Sequence, residues 1–500
     1  MERLQAVIAL SLAVFLGFFI SAAEGSTIIV VLGGLVGAAI GLAIVAYTAR
    51  KPQMFWPILI VGSIVSTGFM LHGYTMADEY VVGCLILGSL AAGAVRPRNL
   101  SVIRSEGVHS SDLDRLHRFV FAVWIMYMLF ECFRGMIVLS SPRKVRWIVY
   151  FLMLGILMPI LSGKKYSTPS VRKMSFLVVA AALIYFSFYS GYGLFFELLG
   201  INRYDLQYAM VGVGVNVGAI AIWGTTAYTM FPLVIAMPAC FIIINDKSRV
   251  YRLLGWITLL VSACTALYYD SRVAILTITA FMLISLFSLG IRRWLTMVVI
   301  CVFILSFFFS FVWQKNRNIG YFLSDTFGTI SSLRQAEQSG VGGHDIDRYV
   351  WAKAGLFSIS DSWQHFLFGY GFRTSGHVVA PHVYDLFISY KRPKAYDEDV
   401  STEAITNLLV DTGMVGLLLL LINFILVAFQ IWRWKGNPNR NVLILSLFIM
   451  FGWLFVINIV DVMLFYLMIM PSGFLVQLSR YNSPQGSNDP QNYRTYQLSS

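Results

Sequence analysis

Runs of about 20 consecutive apolar residues recur along this chain, and they constrain its fold more than any motif does. Each run is long enough to cross ~30 Å of hydrocarbon, where a backbone can satisfy its own hydrogen bonds only as a helix or a closed barrel. Of the 500 residues, 58% are hydrophobic and 12% charged. That is about half the charge of an ordinary soluble domain. The spacing therefore predicts an all-α, polytopic integral membrane protein with about 12–14 transmembrane helices and one large extracytoplasmic loop. Candidate spans lie near 4–22, 28–48, 53–71, 79–95, 119–139, 147–162, 175–194, 224–244, 251–268, 273–290, 294–312, 408–429, 441–459 and 461–478. The first ends in an Ala-Ala-Glu-Gly stretch resembling a signal peptide. With so many spans behind it, it reads as a retained first helix.

The organisation follows from where the polar residues fall. Residues 1–313 form an N-terminal bundle, 314–402 a large outer loop, 403–480 the C-terminal membrane helices, and 481–500 a polar disordered tail. With the N-terminus inside, the inner loops hold Arg50-Lys51, Arg96, Arg98, Arg104, Arg115, Arg118, Lys164-Lys165, Arg172-Lys173, Lys247, Arg249, Arg252, Arg292-Arg293, Arg433, Lys435 and Arg440. The formal charge of +12 is thus a positive-inside signal, and nucleic acid is not an expected partner. Arg143, Lys144 and Arg146 depart from it. Either the fifth and sixth spans are counted wrongly, or those charges meet an anionic ligand outside.

Several residues are candidates for chemistry. Arg272 follows Asp270 and Ser271 at the outer mouth of a span. It is either a snorkelling interfacial side chain or part of a substrate path. Arg348, Trp351 and Lys353 lie in the large loop, where a three-residue spacing puts Arg348 and Trp351 on one helix face. An exposed arginine paired with Asp345 or Asp347 is the plainer reading. Phe366 to Gly376 is a glycine-punctuated turn carrying Arg373, and glycines there let a backbone approach a ligand closely. Glu131 and Arg134, at i and i+3 in the fifth span, read as an ion pair within the membrane. Thr402 and Glu403 precede an apolar helix, where an N-cap and an acid in the first turn suffice to explain them.

Other patterns are excluded. Gly212 to Gly218 lacks the spacing and the strand–helix context of a dinucleotide loop. Four of the seven histidines, His344, His365, His377 and His382, fall in the outer loop, but no two have helical zinc spacing and no cysteine is near. No metal and no cofactor is expected. The five cysteines sit in apolar runs and read as small core residues.

In order, these motifs resemble the O-antigen ligase/polymerase superfamily of polysaccharide assembly. Ser271-Arg272 opens a span, and an Arg-x-x-Trp segment, Arg348 to Trp351, lies in a large outer loop. A Gly-x-Gly turn follows at Gly369 to Gly371. Thr402-Glu403 then stands about ten residues before Gly413 to Gly416, which opens the next span. The likeness covers residues 255–430; the remainder matches only in topology.

The resemblance implies an inverting, metal-independent glycosyltransferase. Its donor would be an oligosaccharide on undecaprenyl pyrophosphate, at the outer face of a bacterial cytoplasmic membrane. Arg272 and Arg348 would clamp the diphosphate, since guanidinium forks match phosphate oxygens. Arg373, Thr402, Asp399, Trp351 and Arg134 would line the substrate site. The ligase branch has a His-Asn pair where this chain has Thr402-Glu403. An acid there resembles the polymerase branch and makes Glu403 the expected base, with Asp399 in reserve. The alternatives are a ligase that moves the glycan to another acceptor, and a flippase or transporter. Expected partners are the lipid-linked oligosaccharide, membrane lipid, a chain-length regulator and a flippase.

Overall fold

The computed structural model describes residues 112–139, 224–246, 248–268, 272–288, 344–386, 404–433 and 440–453. It also describes short pieces at 39, 41–48, 70–71, 75–76, 88, 147–148, 151–152, 155, 175–180 and 182–183. The described part is helical apart from the turns between helices and one small antiparallel pair. There β1 (Met70–Leu71) meets β2 (Thr75–Met76), with Met70 opposite Met76 and Leu71 opposite Thr75. The helices are α1 (Asp112–Leu139), α2 (Gly224–Asn245), α3 (Arg249–Tyr268), α4 (Arg272–Ser288), α5 (His344–Ser360), α6 (Trp363–Phe368), α7 (Ser375–Leu386), α8 (Ala404–Trp432) and α9 (Arg440–Trp453). The apolar runs expected at 119–139, 224–244, 251–268, 273–290, 408–429 and 441–459 fall on α1, α2, α3, α4, α8 and α9. The expected outer loop contains α5, α6 and α7.

Short turns set the neighbours. Asp246 accepts a hydrogen bond from the Ser248 amide (2.8 Å), folding α3 back on α2. α4 packs on both of them, and α9 joins this group to α8. α1 lies along α8, and α5, α6 and α7 gather against α8. The two long helices run antiparallel. His117 meets Gln430 at one end (3.4 Å), while the Tyr127 hydroxyl donates to the Thr412 carbonyl (2.6 Å) farther along. Arg115 and Arg118 of α1 therefore lie at the same end as Arg433 beyond α8.

The core divides α1 lengthwise. Phe121, Trp124, Ile125, Met128 and Cys132 are buried in the main apolar cluster, which extends through α2, α3, α4, α8 and α9. On the other face Leu116, Phe119, Val123, Met126, Phe130, Phe133 and Ile137 alternate at three- and four-residue steps, and all are exposed. α8 carries a similar exposed ridge of Leu418, Ile422, Ile425, Phe429 and Trp432. Among the described residues, the segments Arg115–Leu139 and Ile405–Trp432 are long and apolar enough to cross a membrane.

Candidate functional site

The site begins with a break in α8. Gly413 takes φ 66° and ψ −171° inside an otherwise helical run. A left-handed residue there turns the preceding carbonyls out of the helical ladder, so they need other donors. Val410 O receives the Tyr370 amide (2.9 Å), Asp411 O the Gly371 amide (2.8 Å), and Thr412 O the Tyr127 hydroxyl (2.6 Å). The break in one helix thus becomes the docking edge for the turn at 369–374.

That turn is also fastened to α1, where the Phe372 amide donates to Glu131 O (2.9 Å). Three backbones meet so closely that side chains are excluded. A Cβ on Gly413 would collide with the Leu367 carbonyl, and one on Gly135 with the Phe372 carbonyl. A Cβ on Gly371 would lie 2.5 Å from the Gly135 nitrogen. Gly369 and Gly371 have φ of 65° and 112°, left-handed values that glycine adopts without strain.

Asp411 holds the centre. Its carboxylate is fully buried, with Oδ2 accepting from the Arg373 amide (2.8 Å). Oδ1 accepts from the amides of Thr374 (3.0 Å) and Ser375 (2.8 Å). These donors are the entry to α7, so a residue of α8 serves as the N-cap of another helix. The same bonds hold Arg373 at φ 65°, the one non-glycine residue with positive φ among those described. Its buried guanidinium lies 4.2 Å from the centre of the Trp147 ring. Trp147 and Phe151 both pack edge-on against Phe372 (5.6 and 5.4 Å).

Arg134 closes the opposite side. Nη1 donates to Glu131 Oε1 (3.1 Å) and to the Phe368 carbonyl (3.0 Å), and Nη2 donates to the Gly369 carbonyl. These are carbonyls at the C-terminus of α6, where a cation is favoured. The Arg134 side chain is 28% exposed, whereas Glu131 is fully buried and its Oε2 makes no hydrogen bond among the described residues. At the other end of α6, Ser362 Oγ accepts from the His365 amide (3.1 Å). The His365 ring stacks on Tyr370 at 3.9 Å, and the Tyr370 hydroxyl donates to Ser358 O (2.7 Å). Burial, and then the charge of Asp361, raise the Tyr370 phenol above its ordinary value, which keeps it a donor.

The structure thus joins two motifs some forty residues apart, the Gly369–Gly371 turn with Arg373 and the segment Asp411 to Gly416. Arg134 belongs to the same junction. Among the described residues its Nε and one N–H of Nη2 have no acceptor, and these can meet an anionic oxygen. Trp351 is buried with Ala354, Ile359, Val379, Ala380 and Val410, and so braces α5 and α7 against α8. Arg272 is the first residue of α4, and Arg348 lies on α5 one turn before Trp351. Both of their side chains are outside the described residues. Asp399, Thr402 and Glu403 lie outside them altogether, Glu403 immediately preceding Ala404 of α8.

Asp411, Tyr127 and Trp147 belong to the site without being among the sequence candidates. Asp411 carried a usable signal, because an acid inside an apolar run demands an internal partner. The other two had none, since an aromatic residue in such a run is ordinary. No protein-family model matches the chain, and no curated protein matches it.

Proposed function

We propose that the chain is a polytopic membrane glycosyltransferase. It would polymerise oligosaccharide repeats carried on undecaprenyl pyrophosphate, at the outer face of a bacterial cytoplasmic membrane. The observation that carries this reading is the junction itself. The Gly-x-Gly turn with Arg373, the Asp411–Gly416 segment and Arg134 meet at the end of the α1–α8 pair remote from Arg115, Arg118 and Arg433. If the basic ends face the cytoplasm, the junction faces outward, where lipid-linked sugars are joined. The exposed apolar ridges of α1 and α8 support a bilayer around them.

In this scheme Arg272 and Arg348 bind the diphosphate and stabilise it as a leaving group. Arg134, with donors left unmet among the described residues, stands beside the turn as a third anion-binding cation. The acceptor hydroxyl oxygen attacks the anomeric carbon, and the bond from that carbon to the phosphate oxygen breaks. Undecaprenyl pyrophosphate departs with the electron pair, and Glu403 takes the hydroxyl proton. The sugar centre inverts. Asp411 is unsuited to that role, because all three of its hydrogen-bonded amides are structural.

A transporter reading draws on the buried acids Glu131 and Asp411 and on the broken helix α8, features that also occur where ions cross membranes. Electrophoresis of surface polysaccharide separates the readings. R272A, R348A and E403A should each leave single repeats in place of a ladder. A ligase would instead accumulate full-length chain on the polyprenyl carrier. A transporter would leave repeats unpolymerised on the inner leaflet. An unchanged ladder at normal protein level would sink the site assignment.

A further inference from the structure

The segment from Leu356 to Phe368 lies in the expected outer loop, yet it exposes Leu356 (53%), Phe357 (47%), Trp363 (68%), Phe366 (42%) and Phe368 (41%). Five large apolar side chains exposed within thirteen residues are unusual on an aqueous surface. α6 supplies three of them and buries none of its own residues. Its height relative to the long helices follows from the junction. The α6 C-terminus is bonded to Arg134, and the following turn lies against Gly135 and Gly413.

From Arg118 to Gly135 is 17 residues, about 26 Å at 1.5 Å each, and from Arg433 to Gly413 is 20 residues, about 30 Å. Hydrocarbon is ~30 Å thick. With the basic residues at one interface, α6 therefore falls at the opposite boundary of the hydrocarbon rather than above it. The exposed ridge of α1 passes this level, through Phe133 and on to Ile137 and Val138. The polar backbone of the turn is already satisfied by α1, α8 and Asp411, as a segment at this depth requires.

We infer that α6 is an interfacial helix seated in the outer leaflet, with Trp363, Phe366 and Phe368 in contact with bilayer lipid. Tryptophan and other aromatic residues favour that boundary. The loop would then be moored to the membrane beside the junction, and the turn carrying Arg373 held at headgroup depth. This rests on the membrane reading of α1 and α8, and the controls separate the two.

The test places benzophenone-alanine at Trp363 or Phe366 in the full chain with its native cysteines. The purified protein is reconstituted in nanodiscs of phosphatidylethanolamine and phosphatidylglycerol, irradiated, and analysed by mass spectrometry. Ile425 and Phe429 on the α8 ridge serve as lipid references, and His377, exposed on α7, as the aqueous reference. The expected result is lipid adducts at 363 and 366 within about threefold of the α8 positions, and at least tenfold above His377. Adducts at 425 and 429 without adducts at 363 or 366 would overturn the inference alone. So would a cross-link from 363 or 366 to a second copy of the chain. Absence of adducts at every position would overturn the membrane reading and this inference with it.

Discussion

Asp411 shows how much can depend on one buried carboxylate. Three amides point at it, and hydrogen bonds to a charged acceptor are worth about 1.5–3 kcal/mol each, without being additive. D411A leaves those donors unmet and should cost on the order of 3–5 kcal/mol; D411N, which keeps one acceptor oxygen, should cost clearly less. Unfolding in detergent followed by far-UV circular dichroism checks the ranking. Arg373 calls for a different design. R373G relieves a left-handed φ, worth about 1 kcal/mol, and loses a cation–aromatic contact of about 1–2 kcal/mol. Because Arg373 is buried, the glycine also empties packed volume, so R373G should cost about 2–5 kcal/mol, and on the proposed function its folded fraction should fail to build a polysaccharide ladder. Wild-type ladders from a folded R373G would remove Arg373 from the site. Of these two residues the sequence disclosed only Arg373, because glycines flag a turn. Asp411 stands out as an acid in an apolar run, but its three donors come from residues some forty positions earlier, so its role was not legible.

At the scale of elements, hydropathy located α1, α2, α3, α4, α8 and α9 but not the break in α8. α1 starts seven residues before the apolar run because Asp112 to Arg118 continue the helix for about two more turns, with acids at the positive end of its dipole. The break at Gly413 leaves the apolar pattern unchanged on both sides, so periodicity is blind to it. Its cause is tertiary: released carbonyls are matched by the amides of a distant turn. G413A adds a Cβ against the Leu367 carbonyl and forces a left-handed alanine, and should cost more than about 3 kcal/mol or prevent folding. G452A, on α9, meets nothing within 4 Å and should be neutral or stabilising by up to about 1 kcal/mol. Protein yield and melting temperature of the pair give the comparison. Equal behaviour would mean that the junction is not tightly packed.

For the whole molecule, the basic residues did foretell which helix ends coincide, since Arg115, Arg118 and Arg433 lie at one end of the antiparallel pair. The pairing of α1 with α8 was not legible, because a single sequence records no contact across nearly 300 residues. The arrangement predicts that a membrane-impermeant maleimide applied to intact cells labels D361C and leaves R433C unlabelled, each judged against the unsubstituted chain. The reverse pattern would turn the molecule over and move the junction to the cytoplasm. The Glu131–Arg134 pair also has a consequence for biosynthesis. α1 leaves the ribosome about 270 residues ahead of Asp411, which at 5–20 residues per second is on the order of tens of seconds. If α1 spans the bilayer, then for that interval it sits in lipid with neither the turn nor α8 to meet its polar groups. Because the acid and the base are one turn apart on the same helix, each neutralises the other from the moment of insertion. On the membrane reading, the pair lets the helix wait in the bilayer until the arriving chain draws Arg134 toward the Phe368 and Gly369 carbonyls.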